Sequence, residues 1–333
     1  MKRIELNSPS TLEGLKLVER DRPSPGPDDL LVRVAATSLN FHDYLVAKGM
    51  MPAAAGRVPM SDGVGTVAGV GANVKGYREG DRVLGTFFPN WFDGPPTPEK
   101  IAAMGGDHVD GFAAEYVCMP ARTFTRVPKH LSDVEAATLP CAGLTAWRAL
   151  MVEGKIMAGD SVLVQGTGGV SLFALQLAKM AGASVVALSS TKDKLDRLKK
   201  LGADHVINYK ENPEYGKLVK EATGGRGVDH VVEVVGGDMS QSMASRRVGG
   251  STYLIGALSR KPISFSAMFM IGGNARLIGL TVGSRAEQED MVRAIELSGI
   301  KPVVDKVFKL EQLADAFRYQ ESGAQFGKIC VTC

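Results

Sequence analysis

Over roughly the first 125 residues, apolar and polar positions alternate in short runs separated by glycine. The runs at 29–36, 63–71, 81–85 and 113–119 read as strands, because period-two alternation bounded by glycine is strand-and-turn punctuation. Between them, Phe88 to Pro98 carries Pro95, Pro96 and Pro98 and reads as an exposed loop, since proline cannot join a ladder. From Ser161 the rhythm changes. Continuous apolar runs at 161–165, 184–189, 205–209, 228–235, 251–256 and 275–283 alternate with helical patterns, clearest at 170–180 and 192–201. Strands alternating with helices predict an α/β fold with a doubly wound parallel sheet. A helix over 286–297, a strand over 301–308, a short helix from Leu310 and a terminal strand follow.

Composition narrows the possibilities. With 333 residues, 44% of them hydrophobic, the chain is long enough for two buried cores. A formal net charge of +3, with no basic cluster interleaved with aromatics, gives no reason to expect nucleic acid or a membrane surface as partner. No signal-peptide pattern and no run approaching a membrane span is visible, so a soluble cytoplasmic protein is expected. Four cysteines do not make a disulfide scaffold. Cys330 and Cys333 have C-x-x-C spacing, but they end an apolar strand; one is expected in the core and the other frayed at the terminus.

The strongest chemical signal is the run Val162 to Ser171. Gly166 and Gly168 fit the first two positions of G-x-G-x-x-G, Ser171 replaces the third glycine, a strand precedes and an amphipathic helix follows. The first glycine permits a tight turn. The second lets the backbone approach a pyrophosphate, with Thr167, Gly169 and Val170 at the helix N-terminus. An NAD site places an acid at the end of the second strand; here Ser189 and Ser190 stand there, with Lys194 just beyond. Hydroxyls and a lysine suit a 2′-phosphate, so NADPH is the expected cofactor.

The motifs at 38–44, 61–65, 71–83 and 136–147, the glycine loop, 201–209 and the terminal Gly327-Lys-Ile make the chain similar to the medium-chain dehydrogenase/reductase superfamily. Within it the chain most resembles the zinc-independent, quinone-oxidoreductase-like branch. The resemblance implies a GroES-like β-rich substrate domain over 1–127, a Rossmann cofactor domain over 128–284 and a return to the substrate domain over 285–333, with the active site in the cleft between them. It also places Thr145, Tyr209, Gly236, Ile255 and Gly256 along the cofactor. A homodimer pairing edge strands at 251–256 and 277–283 is expected, with a small molecule as substrate.

The positions at which zinc-dependent relatives hold catalytic zinc carry Asn40, Ser61 and Cys141, of which Cys141 alone is a good ligand. No metal is expected. By the same resemblance Asn40 is a donor to a substrate oxygen and His42 a proton shuttle, with Tyr44 a second acid. His108, His130, His205 and His230 belong to no evident constellation. The expected activity is NADPH-dependent hydride transfer to a quinone, enone or related activated carbonyl or alkene. Two alternatives stand beside it: an NAD(P)-dependent alcohol or aldehyde dehydrogenase, and an NADPH-binding protein without turnover.

Overall fold

The computed structural model describes residues 1–333, and these fall into two units, Met1–Leu144 with Val282–Cys333, and Thr145–Thr281. The boundaries differ from those expected at 127/128 and 284/285, because segment 128–144 packs with the first unit. In chain order the first unit contains β1 (Lys2–Glu5), β2 (Lys16–Glu19), β3 (Asp29–Ser38), α1 (Phe41–Ala47), β4 (Val64–Val70), β5 (Arg82–Gly85), α2 (Pro98–Ile101), β6 (Tyr116–Pro120), β7 (Phe124–Arg126) and α3 (Asp133–Ala136). A short helix α4 (Leu144–Trp147), flanked by single π-helical segments, leads into β8 (Ser161–Gln165), α5 (Gly169–Met180), β9 (Ser184–Ser189), α6 (Lys192–Lys200) and β10 (His205–Asn208). Next come α7 (Tyr215–Ala222), β11 (Val228–Glu233), α8 (Ser240–Ala244), β12 (Arg246–Leu254), α9 (Met268–Ile271) and β13 (Arg276–Gly279). The first unit resumes with α10 (Arg285–Ser298), β14 (Val304–Lys309), α11 (Leu313–Glu321) and β15 (Lys328–Thr332).

The first unit is built on a seven-stranded sheet in the order β14-β15-β3-β4-β5-β7, with β6 also paired to β3. Alternation along β3 puts Leu30, Val32 and Val34 in one cluster with Val67, Val83, Phe112 and Phe124. A second cluster gathers Leu39, Met60, Phe317, Ile329 and Val331. The proline-rich segment stays out of the ladder as expected, but it is not uniformly exposed. Trp91 is fully buried and donates its indole N–H to Gly94 O at 2.9 Å, beside Phe88. Burying so large an apolar surface outweighs the loop's polar character. Cys330 is buried. Cys333 is not frayed: its N–H donates to Ala35 O, its thiol to Phe112 O, and burial pushes that thiol up to about 12.

The second unit is a six-stranded parallel sheet in the order β10-β9-β8-β11-β12-β13. Numbered within the unit this is 3-2-1-4-5-6, the doubly wound order. β8 is buried along its whole length, as a central parallel strand must be. Two expectations need correction. β12 begins at Arg246 rather than Ser251, and β13 spans only Arg276–Gly279. β12 also lies between β11 and β13, so residues 251–256 form no sheet edge, and β13 alone is terminal on that side. No helix is long and apolar enough to cross a membrane.

Candidate active site

β3 ends at Ser38 and α1 starts at Phe41, which leaves Asn40 extended at the helix N-cap. Two neighbouring ladders converge on it. Ala36 pairs with Val64 in β4 and Ser38 with Cys330 in β15, and Leu39 N–H donates to Ile329 O at 2.9 Å. Continued past the strand ends, these registers bring Ser61, Asp62 and Lys328 to Asn40. Thr37 Oγ1 fixes the approach by donating to Asp62 O at 2.6 Å. Asn40 Nδ2 donates to Ser61 Oγ at 3.2 Å, and its Oδ1 accepts from Lys328 Nζ at 2.5 Å. Asp43 serves the backbone: it accepts from Asn40 N at 2.9 Å and from Ser61 N at 2.8 Å.

Thr37, Asn40, Asp43, Ser61, Asp62 and Lys328 are all buried. Lys328 also donates to Leu39 O and lies 3.9 Å from Asp62 Oδ2. Neither Asp62 oxygen is in good hydrogen-bond geometry with a donor. Burial raises its carboxyl to about 7; the Lys328 charge opposes this, the Asp43 charge reinforces it, and the Asn40 amide and Cys141 peptide N–H oppose it more weakly. Cys141 lies in the π-helical turn Leu139–Gly143 and is partly exposed. An amide, a hydroxyl and one thiol, with an ammonium bonded to the amide, do not fit the zinc of zinc-dependent relatives. No three His, Cys, Asp or Glu side chains converge to hold a metal ion.

His42, on the first turn of α1, is held between two carboxylates. Its Nε2 is 2.9 Å from Asp107 Oδ2 and its Nδ1 is 3.7 Å from Asp43 Oδ1, with the Phe87 ring edge-on. Burial opposes charge on this imidazole, but the contacts with Asp107 and Asp43 prevail and raise it to about 9. Asp107 also accepts from the backbone N–H and the ring Nδ1 of His108, so His108 does belong to a constellation. Tyr44 is turned elsewhere: its hydroxyl donates to Glu321 Oε1 on α11 at 2.7 Å. Asn40 is thus the one expected catalytic side chain set in the buried polar cluster.

Lys328 and Asp107 were not legible as site residues. Lys328 entered only as part of the Gly327-Lys-Ile motif, with no role attached; Asp107, far from His42 in sequence, left no sign.

In the second unit the expected cofactor residues gather at the carboxyl ends of the parallel strands. Gly166 follows β8 with φ +74°, a left-handed conformation that favours glycine. Ser171, in the third fingerprint position, is buried and donates to Gln165 O at 2.6 Å, which draws α5 onto β8. Thr167 is buried, and Gly168 is the N-cap of twelve-residue α5 without any side-chain cap. Gly168 has φ −76°, and a Cβ there would meet no protein atom within 4 Å. The protein's own packing therefore does not demand glycine. What the glycine leaves is open space at uncapped N–H groups, including those of Gly169 and Val170, a cradle suited to a pyrophosphate.

Ser189 closes β9 and is buried; Ser190 is partly buried. Thr191 is spent as the N-cap of α6, accepting from Lys194 N, and the Lys194 side chain is partly buried on the first turn. Tyr209 is exposed, and its N–H reaches Ser189 O at 3.1 Å, setting it beside the end of β9. Gly236 (φ +69°) follows β11, while Ile255 and Gly256 follow β12; a Cβ on Gly256 would strike Val234 O. Buried Thr145 opens the unit. Glu233, which sequence reasoning missed, braces this end of the sheet: it accepts from Gln165, Ser242 and the N–H groups of Val235 and Gly236. The cradle, the turn and the strand ends fit a dinucleotide.

Residues 26–129 match the family profile described as "Alcohol dehydrogenase GroES-like domain", and residues 169–298 match "Zinc-binding dehydrogenase". The chain is 42% identical to a zinc-type alcohol dehydrogenase-like protein of Schizosaccharomyces pombe, over 96% of this chain and 95% of the relative. Its structure is similar to that of an NAD-dependent alcohol dehydrogenase, with TM-score 0.90, 32% identity and all of both chains covered. It is also similar to a 2-octenoyl-CoA carboxylase reductase in complex with NADP and 2-octenoyl-CoA, with TM-score 0.88, 26% identity and 100% and 87% of the two chains covered.

Proposed function

The chain belongs to the medium-chain dehydrogenase/reductase superfamily and is an NAD(P)H-dependent oxidoreductase, and from that premise we propose that it is a zinc-independent, NADPH-using reductase of activated alkenes or carbonyls, quinones and enones included. The observation that carries this reading is the donor set around Asn40, where an amide, a hydroxyl and an ammonium stand where metal chemistry would need thiolate and imidazole. Bound NADPH would supply the hydride. The chain's task is then to hold the acceptor and stabilise the negative charge that develops on its oxygen. Asn40, with one amide N–H on Ser61 and its amide also close to the Asp62 carboxylate, is the donor assigned to that oxygen. His42 and Tyr44 are committed to carboxylates, so the proton that completes the reduction comes from water.

NADPH is favoured over NADH by the end of β9, where residues 189–192 contain no acid and Lys194 follows. The neighbour that carries NADP and an enoyl-CoA supports both the cofactor and alkene reduction. A second reading, reversible alcohol oxidation, draws its support from the NAD-dependent alcohol dehydrogenase neighbour. The functional protein would be a homodimer joined through β13.

The decisive experiment is titration with NADPH and NADH by nicotinamide fluorescence, with zinc measured on the same sample. NADPH oxidation is then followed with 2-octenoyl-CoA, methyl vinyl ketone and 1,4-benzoquinone. Tight NADPH binding, no zinc and turnover of at least one acceptor is the expected result. Stoichiometric zinc with oxidation of simple alcohols moves the second reading ahead. Binding without turnover of any acceptor or alcohol makes the protein a cofactor binder.

A further inference from the structure

A primary amide is nearly symmetric in shape, and which end carries the oxygen is decided by its partners. At Asn40 the two hydrogen-bonded partners are unequal, and the nearby Asp62 carboxylate also suits the NH2 end. Ser61 hydroxyl can donate or accept, so it tolerates either orientation. Lys328 Nζ has only protons to offer and therefore accepts only the amide oxygen as neighbour; the flipped amide would set NH2 against ammonium. Lys328 is itself immobilised. It is 4% exposed, it donates to Leu39 O, and Asp62 lies 3.9 Å away to balance its charge.

We infer that Lys328 is the positioning residue of this site: in this buried polar cluster, its ammonium is the internal cation that turns Asn40 so that the NH2 group faces the substrate oxygen. Binding a cation at Oδ1 also polarises the amide and strengthens its N–H as a donor. This rests on the role proposed above for Asn40 and adds a residue that does not itself touch the substrate.

The test is a double-mutant cycle of Asn40→Ala and Lys328→Met, read in kcat and KM with 2-octenoyl-CoA, methyl vinyl ketone or 1,4-benzoquinone, and in urea midpoint. A parallel cycle carries Asp62→Asn throughout, which removes the charge that Lys328→Met leaves unpaired. Lys328→Met alone should lower kcat about 10- to 100-fold, the usual cost of losing a group that orients a catalytic one. In the Asn40→Ala background the same change should alter kcat less than about twofold, because its route of action is gone. Lys328→Arg, still a donor-only cation, should recover most of the rate. Additive losses in kcat overturn the inference, as does full activity of Lys328→Met beside an impaired Asn40→Ala. If Asn40→Ala is itself fully active, or no acceptor is turned over, the reading of Asn40 fails separately. The urea midpoints then decide whether Lys328 orients the amide: coupled shifts support it and additive shifts overturn it.

Discussion

Gly168 separates the needs of the fold from those of the ligand. Its backbone is ordinary and nothing crowds a Cβ there, so Gly168→Ala should cost no more than about 1 kcal/mol, the scale of a weakened N-cap. The same methyl group would stand where a pyrophosphate approaches α5. NADPH dissociation constants for the variant should rise about tenfold or more while the thermal midpoint barely moves; equal affinity would remove the cradle assignment. His42 makes a prediction of opposite kind. Its folded pKa of about 9 lies above its ordinary 6.5, so folding favours the protonated ring. That stabilisation, roughly 3 kcal/mol, is complete below about pH 6.5 and disappears as pH rises through 9. Urea midpoints measured from pH 6 to 9.5 should therefore fall in the wild type and flatten in Asp107→Asn. An unchanged slope in that variant would show that Asp107 does not hold the charge.

At the level of elements, periodicity was a sound guide wherever one face or both faces of a strand are buried. The alternation in β3 and the unbroken apolar run of β8 were both readable for that reason. Where tertiary packing overrides local character, reading failed. Trp91 is drawn inward out of a proline-rich loop, and β12 gains residues 246–250 that carry two arginines and two glycines. The cofactor loop was legible because its chemistry lies within one stretch of sequence. The Asn40 cluster was only half legible: the resemblance set Ser61 beside Asn40, but Lys328 reaches it through ladder register between distant strands. Elements also decide association. β13 closes one side of its sheet, and exposed Met268 and Ile271 on α9 precede it. An uncovered edge is a template for pairing. Light scattering at micromolar concentration should give twice 35.4 kDa, and a monomer would dismiss the dimer.

On the scale of the whole molecule, the two units differ in how the chain supplies them. The second is one uninterrupted stretch, Thr145–Thr281, whereas the first is assembled from segments on either side of it. The Asn40–Lys328 hydrogen bond spans 288 positions of sequence. A ribosome adding about 5 to 20 residues per second needs roughly 15 to 60 s to go from one partner to the other. During that interval only Ala36–Ser38 at the end of β3 wait for their partner β15, since β6 and β4 already pair the rest of the strand, while the whole parallel sheet of the second unit is already available to fold. The strand that brings Lys328 to Asn40 is thus also the one that caps the last open stretch of β3, so the buried polar cluster and that ladder are completed by the same late segment.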